Sequence, residues 1–133
     1  MGDGSLRPDV ERAVAQCDNA TLTPPMFGLS SVLASFDCLF MPSEFEGLSI
    51  MSIEASLAAL PVIANSCPGL RDTLPDDWPL CVRNNDTDQY VSLLNYVTAH
   101  NDRRRLGAKA QAFARMNFGI RRMQQAYEAL YSY

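Results

Sequence analysis

Two short apolar runs, Phe36-Asp37-Cys38-Leu39-Phe40-Met41-Pro42 and Val62-Ile63-Ala64, show no polar alternation. A strand-length run of this kind has no face to give to water, so it predicts a strand covered on both sides. Between the two runs, Ile50, Ile53, Leu57 and Leu60 recur at three- and four-residue spacing and mark one face of a helix, which Pro61 is expected to end. Buried strands alternating with helices predict an α/β domain with a mainly parallel sheet.

The rest of the chain continues the alternation. Met1-Gly2-Asp3-Gly4 is turn-forming, and from about Arg7 the residues Val10, Ala13, Val14 and Cys17 recur at helical spacing. Thr21-Leu22-Thr23 reads as a brief strand stopped by Pro24-Pro25, and Leu29 to Ser35 as a short helix. After the loop Ser66-Cys67-Pro68-Gly69 and a turn over Leu70 to Leu74, a small strand is expected near Leu80 to Val82. Three helices then follow: one carrying Tyr90, Leu93, Leu94 and Val97, one over Asp102 to Asn117, and one striped by Met123, Tyr127 and Leu130. A chain of 133 residues, 47% hydrophobic and 20% charged, has enough apolar material for one compact domain and too little length for two.

Charge and cysteine usage exclude several function classes. The formal net charge is −4 and most of the eleven Lys and Arg lie in the last third, so the broad basic surface of a nucleic-acid binder is absent. Cys17, Cys38, Cys67 and Cys81 form no CxxC pair, and the single histidine, His100, has no metal-ligand partner at a useful spacing, so no metal site is expected. Reduced, mostly buried thiols in a cytoplasmic protein are expected. No apolar run approaches the roughly 20 residues that span a bilayer. Met26, Met41 and Met51 are expected as core filling, and Arg103-Arg104-Arg105 and Arg121-Arg122 as solvated helix faces.

In parallel α/β sheets, ligands bind where strands end and helices begin, and Met41-Pro42-Ser43-Glu44-Phe45-Glu46-Gly47-Leu48-Ser49-Ile50 is such a junction. Gly47 allows close approach of a ligand, and unpaired N–H groups of Gly47, Leu48, Ser49 and Ile50 at the helix start suit a phosphate. Glu54, four residues beyond Ile50, flanks the apolar stripe; its two acceptor oxygens match the adjacent hydroxyls of a ribose. Glu46 is placed to do the same for a second sugar. Taken alone, Glu54 reads first as a helix-flank carboxylate paired with a Lys or Arg, and Glu44 and Glu46 as acids favouring the positive end of the helix; the surrounding residues reverse this for Glu54. Together the two carboxylates and the amides between them suit a ligand with ribose, diphosphate and sugar in sequence.

The spacing of Glu46 and Glu54 within Pro42-Ser43-Glu44-Phe45-Glu46-Gly47-Leu48-Ser49-Ile50-Met51-Ser52-Ile53-Glu54-Ala55 resembles the E-x7-E signature of group 1, GT4-like retaining glycosyltransferases. Gly2-Asp3-Gly4 resembles that family's G-x-G turn, Pro61-Val62-Ile63-Ala64 its next strand, Pro68-Gly69-Leu70-Arg71-Asp72 its glycine-rich turn, and Phe118-Gly119 through Tyr131 its closing helix. The resemblance implies a Rossmann-like, three-layer domain, the C-terminal half of a GT-B fold, with residues 1–133 forming part of a nucleotide-sugar-binding domain. It implies that Glu54 holds the ribose, Glu46 the transferred sugar, and the amides of Gly47 to Ile50 the phosphates or sugar. Glu46 is the only candidate for a catalytic side chain. No cofactor or metal is implied beyond the nucleotide-diphosphate sugar, whose hexosyl unit would pass with retention to a glycan or lipid-linked acceptor held by an N-terminal domain. The intact enzyme would be cytoplasmic or peripheral to the membrane.

The pattern also departs from the family. The basic Arg and Lys pair upstream of the G-x-G turn has no counterpart, nor do the first strand and helix of the donor domain or the acceptor domain, so the chain reads as truncated at its N-terminus and inactive alone. Pro68 and Ala59 stand where glycines are usual, and Asp72 where Glu is usual. Two alternatives stay open: a non-catalytic remnant or subunit acting as an interaction module, and another GT-B enzyme with the same donor chemistry, such as a sugar epimerase or a glycogen-synthase-like transferase. Open sheet edges predict self-association, and the stripe of Met123, Tyr127, Leu130 and Tyr131, which would pack across a domain junction, is expected to be partly exposed.

Overall fold

The computed structural model describes residues 4–99 and 102–131, so Gly2, Asp3 and His100 lie outside the described residues. Three strands, β1 (Leu39–Met41), β2 (Val62–Asn65) and β3 (Cys81–Val82), form a parallel sheet in the order β1-β2-β3. Leu39 pairs with Val62, Phe40 with Ile63 and Met41 with Ala64, and on the other side Ala64 pairs with Cys81 and Asn65 with Val82. This is the mixed α/β, Rossmann-like arrangement expected from the alternation of short apolar runs with helical segments.

Among the described residues only β2 is buried on both faces, because it alone has a neighbour on each side. The run from Phe36 to Pro42 was expected to be covered likewise, but only three of its residues form a strand. That strand lies at the sheet edge, and Phe40 is exposed, resting edge-on against Tyr90 with ring centroids 4.9 Å apart. Thr21 to Thr23 is not a strand. Its β-branched residues have no neighbouring strand to pair with, and Pro24 and Pro25 lack the N–H groups a ladder would need. Leu29 to Ser35 forms two 3-10 turns, Leu29–Ser31 and Leu33–Ser35, in place of one helix, and Leu33 alone of these residues is buried.

Helix α1 (Arg7–Val14) has Pro8 in its first turn, where the missing N–H costs nothing, and carries the ion pairs Arg7–Glu11 and Arg12–Asp9. None of its residues is buried. Helix α2 (Ile50–Leu57) begins at Ser49, whose side chain accepts the Ser52 N–H at 3.4 Å, a standard N-cap. It ends at Leu57, four residues before Pro61. The Ala59 N–H donates to the Ser56 carbonyl and the Leu60 N–H to the Ala55 carbonyl, closing a Schellman turn with Ala59 at φ 57°.

The buried face of α2 differs from the expected apolar stripe. Ile53 and Leu60 are buried, but Ile50 and Leu57 are exposed, and Ser52, Ala55 and Ser56 take the inner positions. Helix α4 (Asp102–Phe118) packs there with its own small residues, Gly107, Ala110 and Ala114, beside Leu106. Close approach explains the preference for small side chains over large ones: a Cβ on Gly107 would lie 2.0 Å from the Ala59 carbonyl oxygen. Gln111 Nε2 donates to the Leu57 carbonyl at 2.7 Å, capping the end of α2 from the neighbouring helix.

Helix α3 (Thr87–Ala99) buries Tyr90 and Val97 and packs Leu93 and Leu94 against the core. The core is centred on Val62, Ile63, Leu70, Leu74, Leu80 and Val82, with Trp78 donating its Nε1–H to the Val62 carbonyl at 2.8 Å. Helix α5 (Ile120–Tyr131) buries nothing, and Met123, Tyr127, Leu130 and Tyr131 are exposed, as the sequence pattern predicts. The thiols are all free, but only Cys67 is buried; Cys38 and Cys81 are half-buried and Cys17 is exposed, just past the end of α1. Met41 and Met51 pack against the core, whereas Met26 lies exposed in the loop before the 3-10 turns. Arg103, Arg104, Arg105, Arg121 and Arg122 all face solvent, with Arg103 paired to Asp37 and Arg105 to Asp102.

Candidate functional site

The C-terminal ends of β1 and β2 open onto two loops, residues 42–49 and 66–69, and a third turn follows β3. Asn65, the last residue of β2, ties the first of these to the third. Its Nδ2 donates to the Ser43 carbonyl at 3.0 Å while its Oδ1 accepts the Asn85 N–H at 3.4 Å. A buried amide with both ends satisfied holds the backbone on either side, which is why a polar residue is stable inside an otherwise apolar strand. Nothing in the sequence singled Asn65 out, since its partners lie 22 and 20 residues away.

Gly69 supports the other side of the 42–49 loop. Its φ is +79°, a conformation L side chains rarely adopt, and an added Cβ would lie 2.2 Å from the Glu46 carbonyl oxygen and 2.6 Å from that of Gly47. The two loops are therefore in backbone contact at Glu46 and Gly47. The Asp72 carboxylate accepts the Gly69 N–H at 3.3 Å and holds this turn in place.

At the start of α2, the four amides expected to be free are not equivalent. Ser49 N–H points to the Gly69 carbonyl at a long 3.5 Å, while those of Gly47, Leu48 and Ile50 have no partner among the described residues. The Ser49 side chain is already used as the N-cap. Gly47 needs no unusual backbone angle: a Cβ there would meet nothing within 4 Å, so the glycine leaves open space directly above its amide. Leu48, Ile50 and Phe45 expose their side chains around that space.

Both carboxylates are half-buried. Ile50 is exposed on the same side of α2, four residues earlier, so Glu54 faces outward with Ile50 and Leu57 and does not border a buried stripe. Neither the Glu46 nor the Glu54 carboxylate forms a hydrogen bond or ion pair with any of the described residues. The helix-flank reading of Glu54 required a Lys or Arg partner, and none is present among them. Half-buried carboxylates flanking unpartnered amides can accept hydroxyl hydrogen bonds on either side of an anion. Among the described residues, no three His, Cys, Asp or Glu side chains come close enough to hold a metal ion. No helix among them is long and apolar enough to cross a membrane.

A cavity of about 880 Å³ lies one loop away and includes neither carboxylate. Its walls are the Ser66 to Pro68 loop, the segment from Arg71 to Asp76, the end of β3 with Arg83 and Asn84, and Phe113 of α4. Sequence reasoning noted Arg71 only as part of a turn and passed over Arg83, because their proximity depends on the pairing of β2 with β3.

The family model described as glycosyl transferases group 1 matches residues 1–100. The chain is 37% identical over 79 residues to a sulfoquinovosyl transferase of Arabidopsis thaliana, covering 58% of this chain and 15% of that protein. It is 39% identical over 79 residues to a 2-deoxystreptamine glucosyltransferase of Streptomyces kanamyceticus, covering 56% of this chain and 20% of that one. Over 121 residues it is 31% identical to a D-inositol 3-phosphate glycosyltransferase of Nocardia farcinica, covering 85% of this chain and 27% of the relative. The matched segments thus span 15%, 20% and 27% of the length of these relatives.

Proposed function

The chain belongs to the group 1 glycosyltransferases, and we propose that it forms part of a donor domain that binds a nucleotide-diphosphate sugar between Glu46 and Glu54. The observation that carries this reading is the pair of half-buried carboxylates without protein partners, set on either side of the open amides at the start of α2. In this reading Glu54 accepts hydrogen bonds from the ribose hydroxyls and Glu46 from those of the sugar to be transferred. The N–H groups of Gly47, Leu48 and Ile50 take the diphosphate, helped by the positive end of the α2 dipole. Ser49 contributes mainly by capping the helix and less through its own amide.

Transfer with retention to a glycan or lipid-linked acceptor needs the departing diphosphate to be stabilised as the glycosidic bond breaks, and oriented amides perform that task without a protein nucleophile. The acceptor is held by a separate domain in this reading, so the 133-residue chain binds donor without turning it over. The relatives' names, a sulfoquinovosyl transferase, a glucosyltransferase and a glycosyltransferase, have the transfer of a sugar unit in common.

A ligand-observed NMR titration of the chain with UDP, GDP, ADP and their common sugars tests the reading. Saturable binding of one nucleotide family, with no release of free sugar, is expected. Saturation by none of them contradicts the donor assignment, and sugar release by the purified chain contradicts its dependence on a second domain.

A second reading, that the chain serves as a non-catalytic subunit, is favoured by α1 and α5, which bury no residue and expose Leu6, Val10, Ile120, Met123 and Tyr127. Surfaces of that kind are usual where a partner packs.

A further inference from the structure

Two arginines, Arg71 and Arg83, line the 880 Å³ cavity beside β3, and neither guanidinium group has a hydrogen bond or ion pair with the described residues. Arg71 stands at the head of a 3-10 turn (Arg71–Thr73) whose first N–H is tied to the Cys67 carbonyl at 3.1 Å. Arg83 follows β3 directly and opens a tight turn through Asn84 and Asn85, both in the left-handed region, closed by the Asp86 N–H on the Arg83 carbonyl at 3.3 Å. Both guanidinium groups therefore spring from fixed backbone. The field of Arg71 reaches Cys81 on the cavity wall, opposing the upward push that burial gives that thiol.

Lys109 pairs with Asp77, Arg103 with Asp37 and Arg105 with Asp102, while Arg104, Arg115 and Arg121, which form no ion pair with the described residues, are exposed on helices and do not line this cavity. Of the two carboxylates in the cavity, Asp72 already accepts the Gly69 N–H, which leaves Asp76 as an open acceptor. Ser66 and Asn84 add a hydroxyl and an amide, and Phe113 supplies an apolar wall. The volume far exceeds what a bare phosphate would fill and lies within the range of small-molecule sites.

We propose that this cavity is a second binding site, separate from Glu46 and Glu54, for a phosphate monoester carried on a hydroxylated skeleton of hexose size. Arg71 and Arg83 hold the phosphate through charge-assisted hydrogen bonds, while Asp76, Ser66 and Asn84 hydrogen-bond the hydroxyls. Phe113 packs against the carbon face of the ring. The inference does not depend on the donor reading, since the cavity contains neither glutamate and its cations come from other loops. It shares with that reading only the Gly69 turn, which has the donor loop on one side and the cavity on the other.

The test is a backbone-amide NMR titration of the full chain with glucose 6-phosphate, inorganic phosphate and glucose, repeated on Arg71→Gln, Arg83→Gln and the double variant. Glucose 6-phosphate is expected to shift the amides of Ser66, Cys67 and Arg83 to Asp86 saturably. It should bind at least about tenfold more tightly than inorganic phosphate, and each single substitution should weaken it about tenfold. Glu54→Ala should leave this binding unchanged. Equal affinity for inorganic phosphate, meaning an adventitious ion only, overturns the proposal. So does binding that survives the double substitution, shifts confined to residues 47–50, or no saturable shift. Loss of nucleotide-sugar binding in Glu54→Ala with glucose 6-phosphate binding intact separates the failure of one site from that of the other.

Discussion

A single methyl group has different consequences at Gly47, Gly69, Gly107 and Ala59. Gly47 and Gly69 face each other across the two loops of the candidate donor site, but their roles differ. Gly69→Ala would place a Cβ against the carbonyls of Glu46 and Gly47 and hold an L residue at positive φ. It should destabilise the protein by about 1–3 kcal/mol or more and displace the donor loop. Gly47→Ala adds a methyl to open space, so chemical denaturation should find stability nearly unchanged while affinity for the nucleotide sugar falls. Equal effects of the two substitutions on stability would contradict the packing described. The third position is Gly107, where helix propensity alone predicts that Ala would stabilise by about 1 kcal/mol. The Ala59 carbonyl in the way reverses the sign, and Gly107→Ala should destabilise by about 1–3 kcal/mol. Ala59 itself sits at φ 57° in the helix-ending position that glycine favours, so Ala59→Gly should stabilise by roughly 0.5–1 kcal/mol once strain relief is set against chain entropy. Urea midpoints of these two variants moving in opposite directions would bear this out.

At the scale of elements, what was legible in the sequence is what depends on local pattern. The strands near Leu39, Val62 and Cys81, the helices from Arg7, Ile50, Thr87, Asp102 and Ile120, and the order in which they alternate all follow from apolar runs and spacing. The errors came where the neighbour, and not the segment, decides. The run from Phe36 to Pro42 is as apolar as Val62 to Ala64, but one lies at the edge of the sheet and the other at its centre, and apolarity alone cannot tell them apart. The stripe of Ile50, Ile53, Leu57 and Leu60 obeys helical periodicity, yet α2 turns its small residues inward because α4 comes close enough at Gly107 to exclude larger ones. The same rotation brings Glu54 to the outer face beside Ile50. For the candidate site, the glutamates and the Gly47 loop stood out in one stretch of sequence, whereas Asn65 and the cavity arginines become neighbours only through the β2–β3 pairing.

Seen as a whole molecule, the chain has a well-covered centre and uncovered ends. The packing around β2 is dense, while α1 and α5 contribute nothing to it and expose Leu6, Val10, Ile120, Met123, Tyr127, Leu130 and Tyr131. β1 also presents an edge without a neighbouring strand among the described residues. Such a surface predicts self-association of the isolated chain. Sedimentation velocity should show a weight-average mass rising with concentration above that of the 14.7 kDa monomer, and Met123→Lys with Leu130→Lys should suppress the rise. A constant monomer mass would show that the exposed helices do not drive contact between copies.

The central claim, that Glu54 grips the ribose of a nucleotide donor, is tested most directly by a two-by-two comparison of affinities. Wild type and Glu54→Ala are each titrated with the preferred nucleoside diphosphate and with its 2′,3′-dideoxy analogue. Hydrogen bonds to a charged acceptor are worth about 1.5–3 kcal/mol, so wild type should prefer the ribonucleotide roughly tenfold to a hundredfold. Glu54→Ala should bind both weakly and nearly equally. A variant that keeps the full preference for ribose hydroxyls, or a wild type that has none, would contradict the account.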